Sequence, residues 1–268
     1  GKADYSGLNS NNVNGFKNPW ASICDELVTG YGNASKYNNS DKNATNVSFH
    51  RYGDCYKAIR QANIFLQKAH VITAGGTQGD ELLEPELKRY QANARFMRAF
   101  YHYLLFEQYG PIIIVGDKVY EATESQDMSR NSVDEVVEYL DKELLASADE
   151  LSQEPIIDEN YRAEPTKGVA LAVRAKMWVY AASPLLNGGF NEALNIANPD
   201  GKKLFPIADA AKWERARQAC ADFINYANEN NRYELYYAAP EKNGVVNPEK
   251  SVYELFQKYT KEIIWATA

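Results

Sequence analysis

Residues 85–111 read PELKRYQANARFMRAFYHYLLFEQYGP, and the architecture follows from how this run is punctuated and filled. Pro85 can occupy a first helical turn, where its missing N–H costs nothing, and Gly110-Pro111 ends the run. The spacing predicts a helix of about 24 residues, roughly 36 Å long. Its apolar side chains nearly encircle it, from Ala92 and Phe96 through Phe100 to Leu105 and Phe106. Polar residues survive mainly on one stripe: Gln91, Arg95, Arg98 and His102. A helix apolar on most sides lies inside a protein. The two arginines are then buried or nearly so and need carboxylates or helix-end carbonyls from neighbouring helices. No Gly-rich phosphate loop precedes the helix, so stapling is the reading for both.

Further helices flank this one. Residues 51–69 place Tyr52, Cys55, Tyr56, Ile59, Asn63 and Leu66 on one side. Residues 131–151 open with Ser132 and Glu135, the spacing of a capping box, and carry a Val/Leu stripe. Residues 166–182 are small-residue rich and stop at Ser183-Pro184, and residues 209–230 repeat Trp213, Ala216, Cys220, Phe223 and Ala227. A short helix is expected over 19–28. PIIIVG (111–116) reads as a buried extended segment, and SVYELF and EIIWATA in the tail as short strands. Helix starts fall near 20, 52, 85, 132, 166 and 210. These intervals resemble a helix-hairpin repeat of the tetratricopeptide kind, with longer connections. The expected fold is mainly α: an irregular tetratricopeptide-like bundle with long loops and few short strands, in one domain over 1–268. Within it, 1–18 is a lead-in, 29–49 a long loop, 51–230 the helical core and 231–268 a tail.

Composition narrows function. The chain has 268 residues, a formal net charge of -7 and 19 tyrosines. An acidic balance disfavours nucleic acid and polybasic membrane contact. No apolar stretch approaches the length of a membrane span, and no signal peptide opens the sequence. Cys24, Cys55 and Cys220 show no metal spacing; buried free thiols are expected, with a Cys24–Cys55 bridge the alternative in an oxidising compartment. No Walker loop, zinc-protease or nucleophile-elbow motif is present, and His50, His70 and His102 stand apart. No cofactor is implied. Asp41-Lys42-Asn43 resembles the start of a calcium loop but lacks its later glycine and acid. Four N-x-S/T sequons crowd 33–48, read as an Asn-rich loop.

Residues 29–49, TGYGNASKYNNSDKNATNVSF, form the least regular stretch, and a loop of this length in a compact domain is often functional. Tyrosine and phenylalanine faces among amides and hydroxyls suit sugars, whose apolar faces stack on rings while their hydroxyls take hydrogen bonds.

Five blocks in order resemble one family. ANARFMRAFYHYLLFEQYGPIII (92–114) is similar to the signature of the SusD/RagB family. CYKAIRQANIFL (55–66), PTKGVALAVRAKMWVYAASPLLN (165–187), KWERARQACADFI (212–224) and KEIIWATA (261–268) resemble its other conserved-pattern segments. The resemblance implies a non-catalytic outer-membrane lipoprotein of Bacteroidetes with a tetratricopeptide-like helical scaffold. It implies surface capture of an oligosaccharide or polysaccharide, in some members a peptide, and delivery to a SusC-like TonB-dependent transporter. It places ligand contacts just ahead of the 51–69 helix, at Tyr37, Asn38, Asn43, Phe49 and His50. Asn93 departs from the family's acidic residue, so a partner of Arg98 or its neighbours is expected to differ. Family members carry an N-terminal lipid anchor and continue past the E-x-I-W strand, so this sequence reads as part of a longer protein lacking the anchor and the family's C-terminal part. The alternatives are a helical-repeat protein-interaction scaffold and, less favoured, an α-toroid glycosidase working through paired carboxylates.

Overall fold

A computed structural model of the chain describes residues 51–73, 81–121, 123–124, 127–240, 244–255 and 257–266. The expected helix over 19–28, the lead-in and the 29–49 loop lie outside the described residues. Six α-helices are described: α1 (Tyr52–Lys68), α2 (Glu84–Tyr109), α3 (Val133–Glu150), α4 (Lys167–Ala182), α5 (Ala211–Asn228) and α6 (Pro248–Leu255). The first five start within two residues of their sequence-based positions. Among the described residues only isolated β-bridges occur, at Ile72–Leu82, Ser152–Thr166 and Ala197–Lys203.

Local chemistry explains the helix ends. Pro85 stands in the first turn of α2, with Glu84 and Glu86 beside it at the positive end of the helix dipole. Gly110 closes α2 at φ 68°, its N–H bonded to the Phe106 carbonyl at 2.9 Å. Ser132 and Glu135 form the capping box of α3: Glu135 N–H donates to Ser132 Oγ at 3.3 Å, and Ser132 N–H donates to Glu135 Oε2 at 2.8 Å. After α5 a 3-10 turn (Glu229–Asn231) puts Asn230 and Asn231 at positive φ, a conformation asparagine tolerates better than most residues.

From α1 to α5 each helix packs on its successor, and α2 also meets α4. Pairing is antiparallel: Tyr52 meets Tyr109 while Asn63 meets Arg98, and Arg174 meets Asp222 while Gly168 lies against Tyr226. One continuous apolar core results, with Phe96, Tyr103, Leu105, Phe106, Leu140, Leu144, Met177 and Trp178 fully enclosed.

The polar stripe of α2 is paired as expected. Arg98 is 8% exposed; its Nη2 donates to Glu143 Oε2 at 2.7 Å and its Nη1 to Asn63 Oδ1 at 3.2 Å. Arg95 reaches Glu143 at 3.4 Å and pairs with Glu150. Burial alone would raise the Glu143 carboxyl, but the bonds from Arg98 and Arg95 outweigh it and hold the group below the usual carboxylate range. A second set joins α3, α4 and α5. Asp141 accepts from Arg174 Nε at 2.6 Å and from Trp178 Nε1 at 2.5 Å, while Arg174 Nη1 donates to Asp222 at 2.7 Å. Asn93, at the departure from the family pattern, donates to Glu164 Oε2 at 3.0 Å.

The expected buried extended run PIIIVG (111–116) is buried at Pro111 and Ile112, has no regular secondary structure and enters a turn at Gly116, and among the described residues no strand pairs with it. Helix side chains take its backbone groups instead. Tyr56 Oη donates to the Ile113 carbonyl at 2.8 Å and accepts from Ile113 N–H at 3.0 Å. Asn63 Nδ2 donates to the carbonyls of Gly116 and Lys118, both at 3.0 Å. His102 Nδ1–H donates to the Arg98 carbonyl at 2.8 Å, so its Nε2 lone pair faces Val115 N–H at 3.4 Å.

The tail differs from expectation. The described part of SVYELF, 251–255, is helical, forming most of α6, because Asn247 caps its start: Asn247 Oδ1 accepts from Lys250 N–H at 3.1 Å and Pro248 occupies the first turn. The described part of EIIWATA is irregular, held by side chains rather than by a strand ladder.

Two predictions follow from the buried polar groups. Glu143→Ala leaves buried Arg98 without its carboxylate, while Arg95 keeps Glu150, and costs about 3–5 kcal/mol, read as a lowered denaturant midpoint with unchanged slope. His102 is fully buried and its imidazole is pushed down to about 4, by burial first, with the Arg98 charge adding to it against the Arg98 carbonyl bond. The unfolded chain protonates this residue below about 6.5 and the native state only near 4. Stability from the neutral ring is therefore complete above pH 6.5 and lost as pH falls from 6.5 to 4, on the order of 3 kcal/mol. His102→Gln should show a flatter stability profile over that window in denaturation titrations.

Candidate functional site

Three connections converge on one side of the bundle: 155–166 between α3 and α4, 229–237 after α5, and 257–265 after α6. Each is pinned by identifiable contacts. Arg232, with only 10% of its side chain exposed, forks onto Glu154 at 2.5 and 2.8 Å, reaches Glu229 at 2.8 Å, and lies 4.5 Å over the Tyr226 ring. Tyr226 Oη in turn donates to the Gln153 carbonyl at 2.8 Å. Tyr233 packs onto the first turn of α4, where Gly168 leaves it room: a Cβ there would stand 2.6 Å from the Tyr233 hydroxyl and 3.0 Å from Tyr226.

The last connection is keyed to the core by Trp265. Its ring stands edge-on to Phe96 and Phe100 of α2, with centroids 5.7 and 5.2 Å away, and its Nε1–H donates to the Ala163 carbonyl at 2.9 Å. Glu262 accepts from Tyr236 N–H at 2.7 Å, which ties 257–265 to 229–237. Tyr236 Oη donates to Glu254 of α6 at 2.5 Å, and the Lys258 ammonium lies 4.6 Å over the Tyr236 ring.

Between these connections run two adjoining clefts. The first, of about 410 Å³, lies between 155–166 and 259–264. The second, of about 860 Å³, lies between 228–237 and 258–261. Tyr233, Tyr259, Thr260 and Lys261 line both, so they form one groove with a waist. Tyr237 is 66% exposed and Tyr259 41% exposed. Asn228, Asn231 and Thr260 add amides and a hydroxyl. Burial pushes the Tyr233 and Tyr259 phenols up, so both remain protonated donors near neutral pH. Arg162 stacks 4.5 Å over the Tyr259 ring, and its Nε is buried without a hydrogen-bond partner. The groove thus offers open phenol faces edged by neutral donors and acceptors. That chemistry suits a ligand with both apolar faces and many hydroxyls.

Tyr37, Asn38, Asn43, Phe49 and His50, the contacts expected from the sequence, lie outside the described residues, as does Cys24. Cys55 is a buried free thiol, raised to about 11 chiefly by burial, and Cys220 is a free, partly exposed one. Among the described residues no group of His, Cys, Asp or Glu is assembled that could hold a metal ion, and no helix is long and apolar enough to cross a membrane. The groove tyrosines escaped sequence reasoning. The signal available was density: RYELYY (232–237) and QKYTKE (257–262) concentrate rings in short irregular runs.

The helical frame is shared with known proteins. Residues 10–179 match the SusD-like family model described as starch-binding associating with outer membrane. No curated protein matches the sequence. Among solved structures, the protein BT4246 superposes with a TM-score of 0.66 at 28% identity, covering 82% of this chain and 38% of its own. A SusD-like protein (BF3747) from Bacteroides fragilis superposes with a TM-score of 0.57 at 20% identity, covering 86% of this chain and 35% of its own. The surface glycan-binding protein A from Bacteroides uniformis gives a TM-score of 0.53 at 18% identity, covering 87% of this chain and 41% of its own. The chain therefore spans well under half the length of these structures. The helical hairpins, the five sequence blocks and the matched stretch agree, and the chain belongs to the SusD-like family.

Proposed function

We propose that this chain is part of a surface glycan-binding protein that captures oligosaccharides without cleaving them and passes them to a SusC-like TonB-dependent transporter. The observation that carries the reading is the tyrosine-lined groove, which is formed by connections draped over a helical frame. Support comes from the family's description as starch-binding and associating with the outer membrane. A lipid anchor at the cell surface and the transporter partner belong to the same proposal and rest on the family resemblance.

Binding without turnover fits the acids of the groove. Glu159 pairs with Arg162 at 3.4 Å, Glu234 with Lys261 at 3.6 Å, and Glu164 faces Arg89 at 3.8 Å. A glycosidase needs one acid kept protonated opposite a second carboxylate, an arrangement that ion pairing opposes.

The 29–49 loop is a second proposed contact surface, through Tyr37, Asn38, Asn43, Phe49 and His50. The two surfaces are separable by substitution in the full-length protein. Tyr237→Ala with Tyr259→Ala should weaken calorimetric affinity for the native glycan about tenfold, the loss of one or two ring contacts. Tyr37→Ala with Phe49→Ala should add a further loss. If only the loop pair weakens binding, the groove is not the site. If neither pair does, glycan recognition lies elsewhere in the protein.

A further inference from the structure

The charges around the groove carry information about ligand class that the aromatic rings do not. This inference rests on the glycan-binding reading above and deepens it. Four cationic side chains line the two clefts: Arg162, Arg232, Lys258 and Lys261. Every one of them has a carboxylate at ion-pair distance. Arg162 meets Glu159 at 3.4 Å, Arg232 meets Glu154 at 2.5 Å and Glu229 at 2.8 Å, Lys258 meets Glu254 at 3.1 Å, and Lys261 meets Glu234 at 3.6 Å. Three of the four also spend their charge on rings, Arg162 over Tyr259, Arg232 over Tyr226 and Lys258 over Tyr236.

Five carboxylates therefore face four cations, and the whole chain carries a net charge of -7. A uronate or sulfate entering the groove would meet cations that each already face a carboxylate, and Arg162 Nε, which has no partner, is itself buried. It would have to displace an existing carboxylate against a negative surrounding field. A neutral sugar meets no such barrier: it needs ring faces and hydroxyl partners, which Tyr237, Tyr259, Asn228, Asn231 and Thr260 provide. From this pairing we infer that the groove selects neutral oligosaccharides and rejects acidic ones, and that the carboxylates of Glu159 and Glu234 act as the rejecting elements.

Affinity gel electrophoresis of the full-length protein tests this. The gels would contain neutral polysaccharides (amylopectin, laminarin, galactomannan, arabinan) or acidic ones (polygalacturonate, chondroitin sulfate). Retardation by at least one neutral gel, none by the acidic gels, and loss of that retardation in Tyr237→Ala with Tyr259→Ala would support the inference. Calorimetric affinity for the neutral ligand should then change less than twofold between 50 and 500 mM NaCl. Glu159→Gln with Glu234→Gln, both at exposed side chains, frees Arg162 and Lys261 and should create measurable retardation by polygalacturonate. Wild-type retardation by an acidic gel that disappears in the tyrosine double variant would overturn the charge inference while sustaining the glycan reading. A glutamine double variant that gains no acidic binding would also overturn it. Absence of retardation in every gel would overturn the glycan reading itself.

Discussion

A guanidinium enclosed by apolar side chains is tolerable only beside a fixed carboxylate, and Arg98 with Glu143 is the pair on which the bundle is assembled. Helix α2 is apolar around most of its circumference, so it must be covered on several sides at once. Its polar stripe then falls inside the protein, and the covering helices have to bring matching groups to it. Asn63 of α1 and Glu143 of α3 do this from opposite sides of Arg98. The requirement fixes the rotation of both neighbours about their own axes, which hydrophobic contact alone leaves loose. The Asp141–Arg174–Asp222 set repeats the solution one layer further on and orients α3, α4 and α5.

The same economy governs the connections. Irregular backbone running beside a core must find partners for its N–H and C=O groups. In 111–118 those partners are Tyr56, Asn63, His102 and Asn131 side chains rather than an adjacent strand. Polar residues on the inward faces of α1 and α2 thus have a double role, neutralising buried charge and holding a chain crossing. The groove side follows suit, with Arg232 binding two carboxylates and the Tyr226 ring to hold one loop against another.

Much of this frame was legible in the amino-acid order. Three- and four-residue spacing, Pro85, Gly110 and the Ser132–Glu135 box marked α2 and α3 closely, because those signals are local. The pairing of Arg95 and Arg98 with carboxylates was also foreseeable, since burial left no other choice; which carboxylates was not, because the answer depends on helix rotation. The tail was misread for the same reason in reverse. SVYELF alternates irregularly and reads as a short strand, whereas the helix over its described part, 251–255, is decided by Asn247 and Pro248 just upstream. EIIW gave no hint that its tryptophan would seat on Phe96 and Phe100, more than 160 positions earlier in the chain. The groove was invisible for this reason: its rings come from two short runs that only tertiary contacts bring together.

The seating of Trp265 against α2 has a consequence for recognition. Tyr259 and Thr260 stand a few residues from a side chain locked onto the most enclosed helix of the bundle, so the groove's waist inherits its position from the core and not from loop dynamics. A ligand arriving there finds the aromatic surface already shaped and forfeits little conformational freedom in the protein on docking. Weak individual sugar contacts can then add up to useful affinity, because the ordering cost was met once, at folding.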